Sequence, residues 1–272
     1  MTGVAARPIT FLSDYGYEDE FAGACRAVIA SIAPEAPIVD LTHGVPAGDV
    51  RRGALALVDA LPYAPDGVHL AVVDPGVGTA RRAIAVRVVA ADRILVGPDN
   101  GLLWPAVERF GGPAGAVELS SSSFRLEPVS TTFHGRDLFA PVAARLALGA
   151  RLEEAGDSMD VDSLHRLELP AARTEPGRIV AEVVLVDRFG NASLSASTEQ
   201  LDAGLRARGR AVVEAPAGPP REVPISRTFG DVAAGEAVLY ATSSGRLALG
   251  INRGSAAEVL GLAVGDEVVI RG

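Results

Sequence analysis

Between Pro8 and Asp74 the chain reads PITFLSD (8–14), EDEFAGACRAVIASIAP (18–34), PIVDLTH (37–43), AGDVRRGALALVDALPY (47–63) and GVHLAVVD (67–74). The first, third and fifth segments are short apolar runs that end in polar residues, the pattern of strands buried on both faces with open carboxyl ends. The second and fourth place apolar residues at helical spacing between Pro and Gly punctuation. The alternation predicts β-α-β-α-β, an α/β domain with a central parallel sheet and helices packed on it. Further on, RRAIAVRVVA (81–90) and DRILVGPDNG (92–101) predict two strands joined by a turn. LLWPAVERFGG (102–112) predicts a helix closed by its two glycines, and DLFAPVAARLALG (137–149) a last helix with Pro141 in its first turn and Gly149 past its end.

The pattern changes near residue 165. HRLELPAARTEPGR (165–178) has two prolines and no period, which predicts an N-terminal domain over 1–165, a linker over 166–177 and a second domain over 178–272. The second domain contains RIVAEVVLVD, NASLSA, RAVVEAPA, EAVLYATSSG, RLALGIN and DEVVIRG, short strand-like runs separated by turn residues. Such a series predicts a small antiparallel β-barrel or sandwich.

Composition removes several kinds of chemistry. The 272 residues are 48% hydrophobic, enough for a substantial core, and the longest apolar stretch, Val45 to Val58, is too interrupted to span a membrane. The opening MTGVAARPITFLSDYG leads into a strand without the apolar run of a signal peptide, so a cytoplasmic protein is expected. A net charge of −9 argues against a nucleic-acid groove. All 25 Lys-plus-Arg positions are arginine, which excludes Schiff-base, pyridoxal-lysine and phosphate-loop-lysine mechanisms. Cys25, the single cysteine, sits among Ala24, Ala27 and Val28 and reads as a buried structural thiol.

In open parallel sheets, ligands bind beyond the carboxyl ends of the strands. Asp14, the Asp40–His43 stretch and Asp74 all fall at such ends. Asp74 begins DPGVGTAR, which lacks the third glycine of a dinucleotide fingerprint because Arg81 stands there. A strand rather than a helix is predicted to follow, so no helix N-terminus is available for a pyrophosphate and a nucleotide-dependent oxidoreductase is disfavoured. What remains is a tight loop with a carboxylate at one end and a guanidinium at the other; alone, that is equally ordinary scaffolding. TFHGRDLFAP (132–141) places His134, Arg136 and Asp137 at a helix start, where the dipole favours a neutral imidazole that can take a proton. Asp137 with Arg136 also fits a local cap. His43, His69 and His165 read as structural. In VDRFGNASLS (186–195), Asp187 ends a strand, and Phe189 and Asn191 flank a glycine, suited either to a purine or to a plain hairpin turn.

Taken together, SDYG (13–16), DPGVGTAR (74–81), PDNG (98–101), TFHGRD (132–137), FGN (189–191) and SSGRLALGINRGSA (243–256) resemble the S-adenosyl-L-methionine hydroxide adenosyltransferase family, relatives of fluorinating and chlorinating enzymes that act on the same substrate. The resemblance implies hydrolysis of S-adenosyl-L-methionine to adenosine and L-methionine, with no cofactor and no metal. It also implies a C-terminal β-barrel and a homotrimer whose sites lie between subunits. Asp74, Arg81 and His134 are then the catalytic trio. Asp14 is the carboxylate for the ribose diol, Asp187 and Ser244 are methionine contacts, Phe189 and Asn191 lie near the adenine, and backbone groups around Arg253 and Gly254 complete its pocket. Halogenating relatives have tyrosines in place of Asp74 and His134 and a serine in place of Gly135, and fluorinating ones have a tryptophan near Gly48. Titratable groups thus replace the halide pocket, which disfavours the halogenase alternative. A noncatalytic binder of the same substrate would not need the trio.

Overall fold

The computed structural model describes residues 5–272, so the reading of the first four residues lies outside it. The chain divides into two compact units, Met1–Glu168 and Leu169–Gly272.

In the first unit the strands and helices are β1 (Ile9–Ser13), α1 (Phe21–Ile32), β2 (Ile38–Thr42), α2 (Val50–Ala60), β3 (Val68–Val72), β4 (Ala83–Val88), β5 (Ile94–Pro98), α3 (Trp104–Arg109), β6 (Pro113–Glu118), α4 (Ala140–Ala147), α5 (Leu152–Ala155) and β7 (Asp157–Met159). One sheet of order β2-β1-β3-β5-β4-β6-β7 runs through it. The four strands β2, β1, β3 and β5 are parallel. The remaining three, β4, β6 and β7, are antiparallel to their neighbours. The expected parallel sheet is therefore one half of a mixed sheet. Two of its strands had no readable signal: PAGAVE begins with Pro and buries only Ala116 and Val117, and DSM is short and largely exposed. Their pairing partners, not their own patterns, make them strands.

Both faces of this sheet are covered, which explains the unbroken apolar runs. Ile9, Phe11, Leu70, Val72, Ala85 and Val96 share a core with Cys25 and Ile29 of α1 and with Phe139 and Val142 beside or within α4. The alternate positions Leu12, Ala71, Ile84, Val86 and Leu95 pack with Ala54 and Leu57 of α2 and Val107 of α3. Helices α1 and α2 thus lie on opposite faces, and β1 and β3, adjacent and parallel, present their carboxyl ends where the winding changes face.

The helix from residue 137 contains an irregularity that the sequence explains. Pro141 has no N–H for an i→i−4 bond, and Gly135–Phe139 forms a π turn before α4, with the Ala140 N–H bonded to the Gly135 carbonyl. The Asp137 carbonyl, which Pro141 cannot bond, accepts the Leu126 N–H at 2.8 Å and so fixes the loop before the turn.

The second unit contains β8 (Arg173–Glu175), β9 (Arg178–Val186), β10 (Ala192–Ser197), α6 (Ala203–Arg208), β11 (Arg210–Glu214), β12 (Arg221–Pro224), β13 (Ala237–Ala241), β14 (Arg246–Ile251), α7 (Ala256–Leu260) and β15 (Glu267–Arg271). Its sheet has the order β12-β11-β15-β9-β10-β14-β13, and β8, within the stretch expected as linker, pairs with β9. A bridge between Ile225 and Leu239 brings the two edges together, giving a nearly closed, barrel-like sheet around Val183, Leu194, Leu249 and Ile270. Among the described residues, no helix is long and apolar enough to cross a membrane.

Candidate active site

Asp74 lies two residues beyond β3, and the loop that follows folds back so that Arg81, just before β4, returns to it. The turn is held by the Val77 N–H on the Asp74 carbonyl (3.2 Å) and by the Thr79 hydroxyl on the Gly76 carbonyl (2.7 Å). Gly78 is in the left-handed region, φ 77°, and a Cβ there would press to 2.6 Å from the Thr131 carbonyl oxygen. Glycine is needed on both counts.

Arg81 Nε donates to both oxygens of Asp74 (2.8 and 3.0 Å), and Nη2 donates to Oδ2. The same Nη2 lies 3.0 Å from His134 Nδ1. Side-chain exposure is 7% for Asp74 and 11% for Arg81, so this is a largely desolvated pair in which hydrogen bonds and charge reinforce each other. The contact with His134 has a defined direction. Guanidinium has no acceptor, so Nδ1 must present its lone pair, and the neutral ring carries its hydrogen on Nε2. Burial and then the Arg81 charge hold the His134 pKa below its ordinary 6.5. The imidazole is therefore neutral at pH 7, the form expected from the sequence, and the causes are burial and the adjacent cation.

Arg81, His134, Thr79, Ser120, Arg125 and Glu127 line a cavity of about 430 Å³. Asp14, one residue past β1, accepts the Gly48 N–H on Oδ2 at 2.8 Å. Gly48 and the Asp49 cap of α2 are thereby tied to the end of β1.

Other candidates resolve into scaffolding. Asp137 is buried at 2% exposure and accepts from Arg136 Nε (2.6 Å) and the Ser130 N–H (2.8 Å). Burial alone would raise its pKa, but the Arg136 and Ser130 hydrogen bonds outweigh it and hold the carboxyl below its usual value. His43 has more company than its sequence suggested: Nδ1 is 2.7 Å from Ser13 Oγ and Nε2 is 3.3 Å from Asp40. This resembles a serine-hydrolase triad, but Ser13 is fully buried and unreachable by a substrate. His69 bonds Thr10 (2.8 Å), and burial with Arg93 nearby lowers its pKa to about 3. His165 gives its backbone N–H to Asp99. Burial pushes Cys25 up to about 12, so its thiol stays protonated. Within PDNG, Asn100 Nδ2 donates to the Val73 carbonyl at 2.8 Å, holding the peptide before Asp74. The sequence marked that motif without showing this role.

In the second unit, Phe189, Asn191, Arg253 and Gly254 line one cavity of about 480 Å³ together with Phe229, Ile251 and Asn252. Phe189 is 71% exposed, an unusual surface position for a large aromatic ring, and Phe229 packs on Tyr240 at 4.7 Å. Sequence reading missed Phe229 because it lies in SRTFGD, outside any strand pattern, and only the fold carries it to the Asn191 turn. Asp187 is not in this lining. Its Oδ1 accepts the N–H groups of Phe189 (2.8 Å) and Asn191 (2.9 Å), and Oδ2 accepts Asn191 Nδ2 (2.8 Å). Ser244 lies in the turn between β13 and β14, with Oγ 3.0 Å from Thr242 Oγ1 and 3.1 Å from Arg246 Nη1. It too is outside the cavity lining.

The SAM hydroxide adenosyltransferase N-terminal domain model matches residues 9–156, and the C-terminal domain model of the same name matches residues 181–269. A protein of Salinispora tropica named (R)-S-adenosyl-L-methionine hydrolase is 49% identical over 263 residues, covering 96% of either chain. A protein of Nocardia brasiliensis named fluorinase is 30% identical, covering 97% of either chain. The crystal structure of an uncharacterized conserved protein from Thermotoga maritima matches with a TM-score of 0.89 at 36% identity, covering 97% of this chain and 100% of the other.

Proposed function

The chain belongs to the SAM hydroxide adenosyltransferase family, and we propose on that premise a hydrolysis carried by Asp74, Arg81 and His134. The protein is an enzyme that splits S-adenosyl-L-methionine with water into adenosine and L-methionine. Its greater identity to the protein named hydrolase than to the one named fluorinase favours this reading over halogenation. The name of the Salinispora relative specifies the R form at sulfur, and the same preference is proposed here.

The leaving group is a sulfonium sulfur that departs as a neutral thioether, so no general acid is required. Oxygen of water bonds to the ribose 5′-carbon as the carbon–sulfur bond breaks, the bond pair stays on sulfur, and one proton is released. Water, with a pKa of about 15.7, needs that proton removed or its developing charge stabilised. The observation that carries the reading is the directed chain Asp74–Arg81–His134. Arg81 has no lone pair and the His134 lone pair is committed to Arg81, which leaves the Asp74 carboxylate as the trio's acceptor for the proton of water. Arg81 and the His134 Nε2–H are donors suited to a developing hydroxide.

Around this centre we assign the Asp14 oxygen that Gly48 does not occupy to the ribose diol. Phe189 and Phe229 are suited to the faces of the adenine, with Asn191 and the backbone at Arg253 and Gly254 at its edge. Asp187 acts through the turn it organises, and Ser244 is left as a contact for the methionine carboxylate. The trio lies in the N-terminal α/β unit and the adenine set in the C-terminal barrel, and we propose a homotrimer in which each site takes one unit from each of two subunits. We further propose a cytoplasmic enzyme that uses no cofactor and has neither nucleic acid nor membrane as a partner. Incubation of purified protein with S-adenosyl-L-methionine, followed by chromatography, should yield adenosine and methionine in equal amounts. Bound but unchanged substrate would instead identify a binding protein.

A further inference from the structure

We propose that Tyr15 is the positioning residue that locks the loop carrying Asp14 to the loop carrying His134, by seating its phenol in the space that a side chain on Gly135 would fill. The role rests on the hydrolase reading above, because it serves the geometry of that reaction.

Tyr15 directly follows Asp14 after β1, and its ring is wedged edge-on against Phe133 at 5.8 Å, with Phe21 at 6.1 Å and Phe11 at 6.4 Å. Phe133 and Gly135 bracket His134, so the ring grips the catalytic loop from one side. Its hydroxyl end reaches further. A Cβ placed on Gly135 would overlap Tyr15 Oη outright and stand 3.0 Å from Cζ and 3.3 Å from Cε2. Gly135 is not among the glycines with positive φ, so the missing side chain there serves space and not backbone conformation. The phenol is mostly buried, and burial first, then the neighbouring Cys25, Asp14 and Asp74, hold it well above its ordinary value. It stays protonated near neutral pH and is no base for the attacking water. Its contribution is therefore geometric: it fixes the distance between the group proposed to hold the ribose and the group that faces the attacking water.

The two positions are coupled by volume, and coupling is what a test can read. Four proteins suffice: wild type, Tyr15→Phe, Gly135→Ala and the double variant, each assayed for kcat and KM in adenosine formation and for thermal unfolding. Gly135→Ala displaces the phenol and is expected to lower kcat by about 10²-fold, the scale of an ångström misplacement, with KM changed by less than about threefold. Tyr15→Phe removes the overlapping oxygen, keeps the ring and costs a few-fold. The double variant is expected to recover about tenfold in kcat over Gly135→Ala, because the new methyl then meets only the ring edge. If Gly135→Ala does not fold, a folded and active double variant supports the same coupling, and a double variant that also fails overturns it. A fully active Gly135→Ala, or a double variant as impaired as the product of the singles, overturns the role while an active wild type leaves the hydrolase reading standing. A wild type that forms no adenosine overturns that reading and this role together.

Discussion

Replacing His134 by glutamine separates two roles that an alanine substitution would merge. In the structure His134 accepts from Arg81 at Nδ1 and carries its hydrogen on Nε2. Glutamine offers the same pair, a carbonyl oxygen to accept and an amide N–H to donate, but has no basic atom near neutrality. If the imidazole works as a hydrogen-bonding bridge and donor, His134→Gln should lose about tenfold in kcat through imperfect placement, whereas His134→Ala, which removes a donor to the developing hydroxide, should lose about 10²–10³-fold. If the imidazole were the base, glutamine and alanine would both lose about 10²–10⁴-fold. Asp74→Asn is the counterpart: it removes the assigned acceptor and leaves Arg81 without its counter-charge, and a loss of about 10²–10⁴-fold is expected. The pH profile adds a second test. The wild-type pKa of His134 lies below 6.5, so the neutral form dominates at pH 7, and activity falls as pH drops through the lowered pKa, because a protonated ring places a hydrogen against the Arg81 N–H. His134→Gln should lack that decline. Initial rates of adenosine formation from pH 5 to 9 measure both effects, and a glutamine variant as inactive as the alanine variant would refute the assignment of His134 as a bridge.

Three further outcomes are expected. Asp14→Ala should raise KM for S-adenosyl-L-methionine by more than it lowers kcat, since ribose binding precedes and accompanies the chemistry; unchanged KM in steady-state assays would remove Asp14 from the ribose site. Acid should destabilise the fold through His69, whose pKa of about 3 in the folded protein lies below the 6.5 of a free imidazole. This group's contribution is present above pH 6.5 and is lost as pH falls toward 3, by up to about 1.4 kcal/mol per unit; urea midpoints that do not fall between pH 7 and 5 would contradict it. Inactive His134→Ala and Asn191→Ala proteins, mixed under conditions where native mass spectrometry shows subunit exchange, should recover part of the activity. No recovery despite exchange would mean that each site is built within one chain.

Much of this was legible in the sequence for identifiable physical reasons. Strands β1, β3, β4 and β5 are buried on both faces, so their apolar runs are continuous and their polar ends mark the edge of the sheet where Asp14 and Asp74 stand. Arg81 and His134 were visible as charged or titratable residues in tight glycine-bearing loops beside those ends. Strands β6 and β7 were not visible, because their own side chains bury little and their neighbours in the sheet decide their conformation. The direction of the Arg81–His134 hydrogen bond could not be read either: it depends on which ring nitrogen faces the guanidinium, a fact of geometry and not of residue type. Phe229 and Tyr15 escaped for a related reason. An aromatic residue in a loop reads equally as core, surface or site until the fold shows what its ring meets.

In the proposed hydrolysis, water itself, activated beside Asp74, Arg81 and His134, attacks the ribose 5′-carbon. Reaction of S-adenosyl-L-methionine in ¹⁸O-labelled water, with abundant chloride present, followed by mass spectrometry of the nucleoside product, tests this attack most directly. Adenosine with one ¹⁸O in its 5′-hydroxyl and unlabelled methionine are the expected products. Halogenated adenosine as the main product, or adenosine without the label, would contradict it.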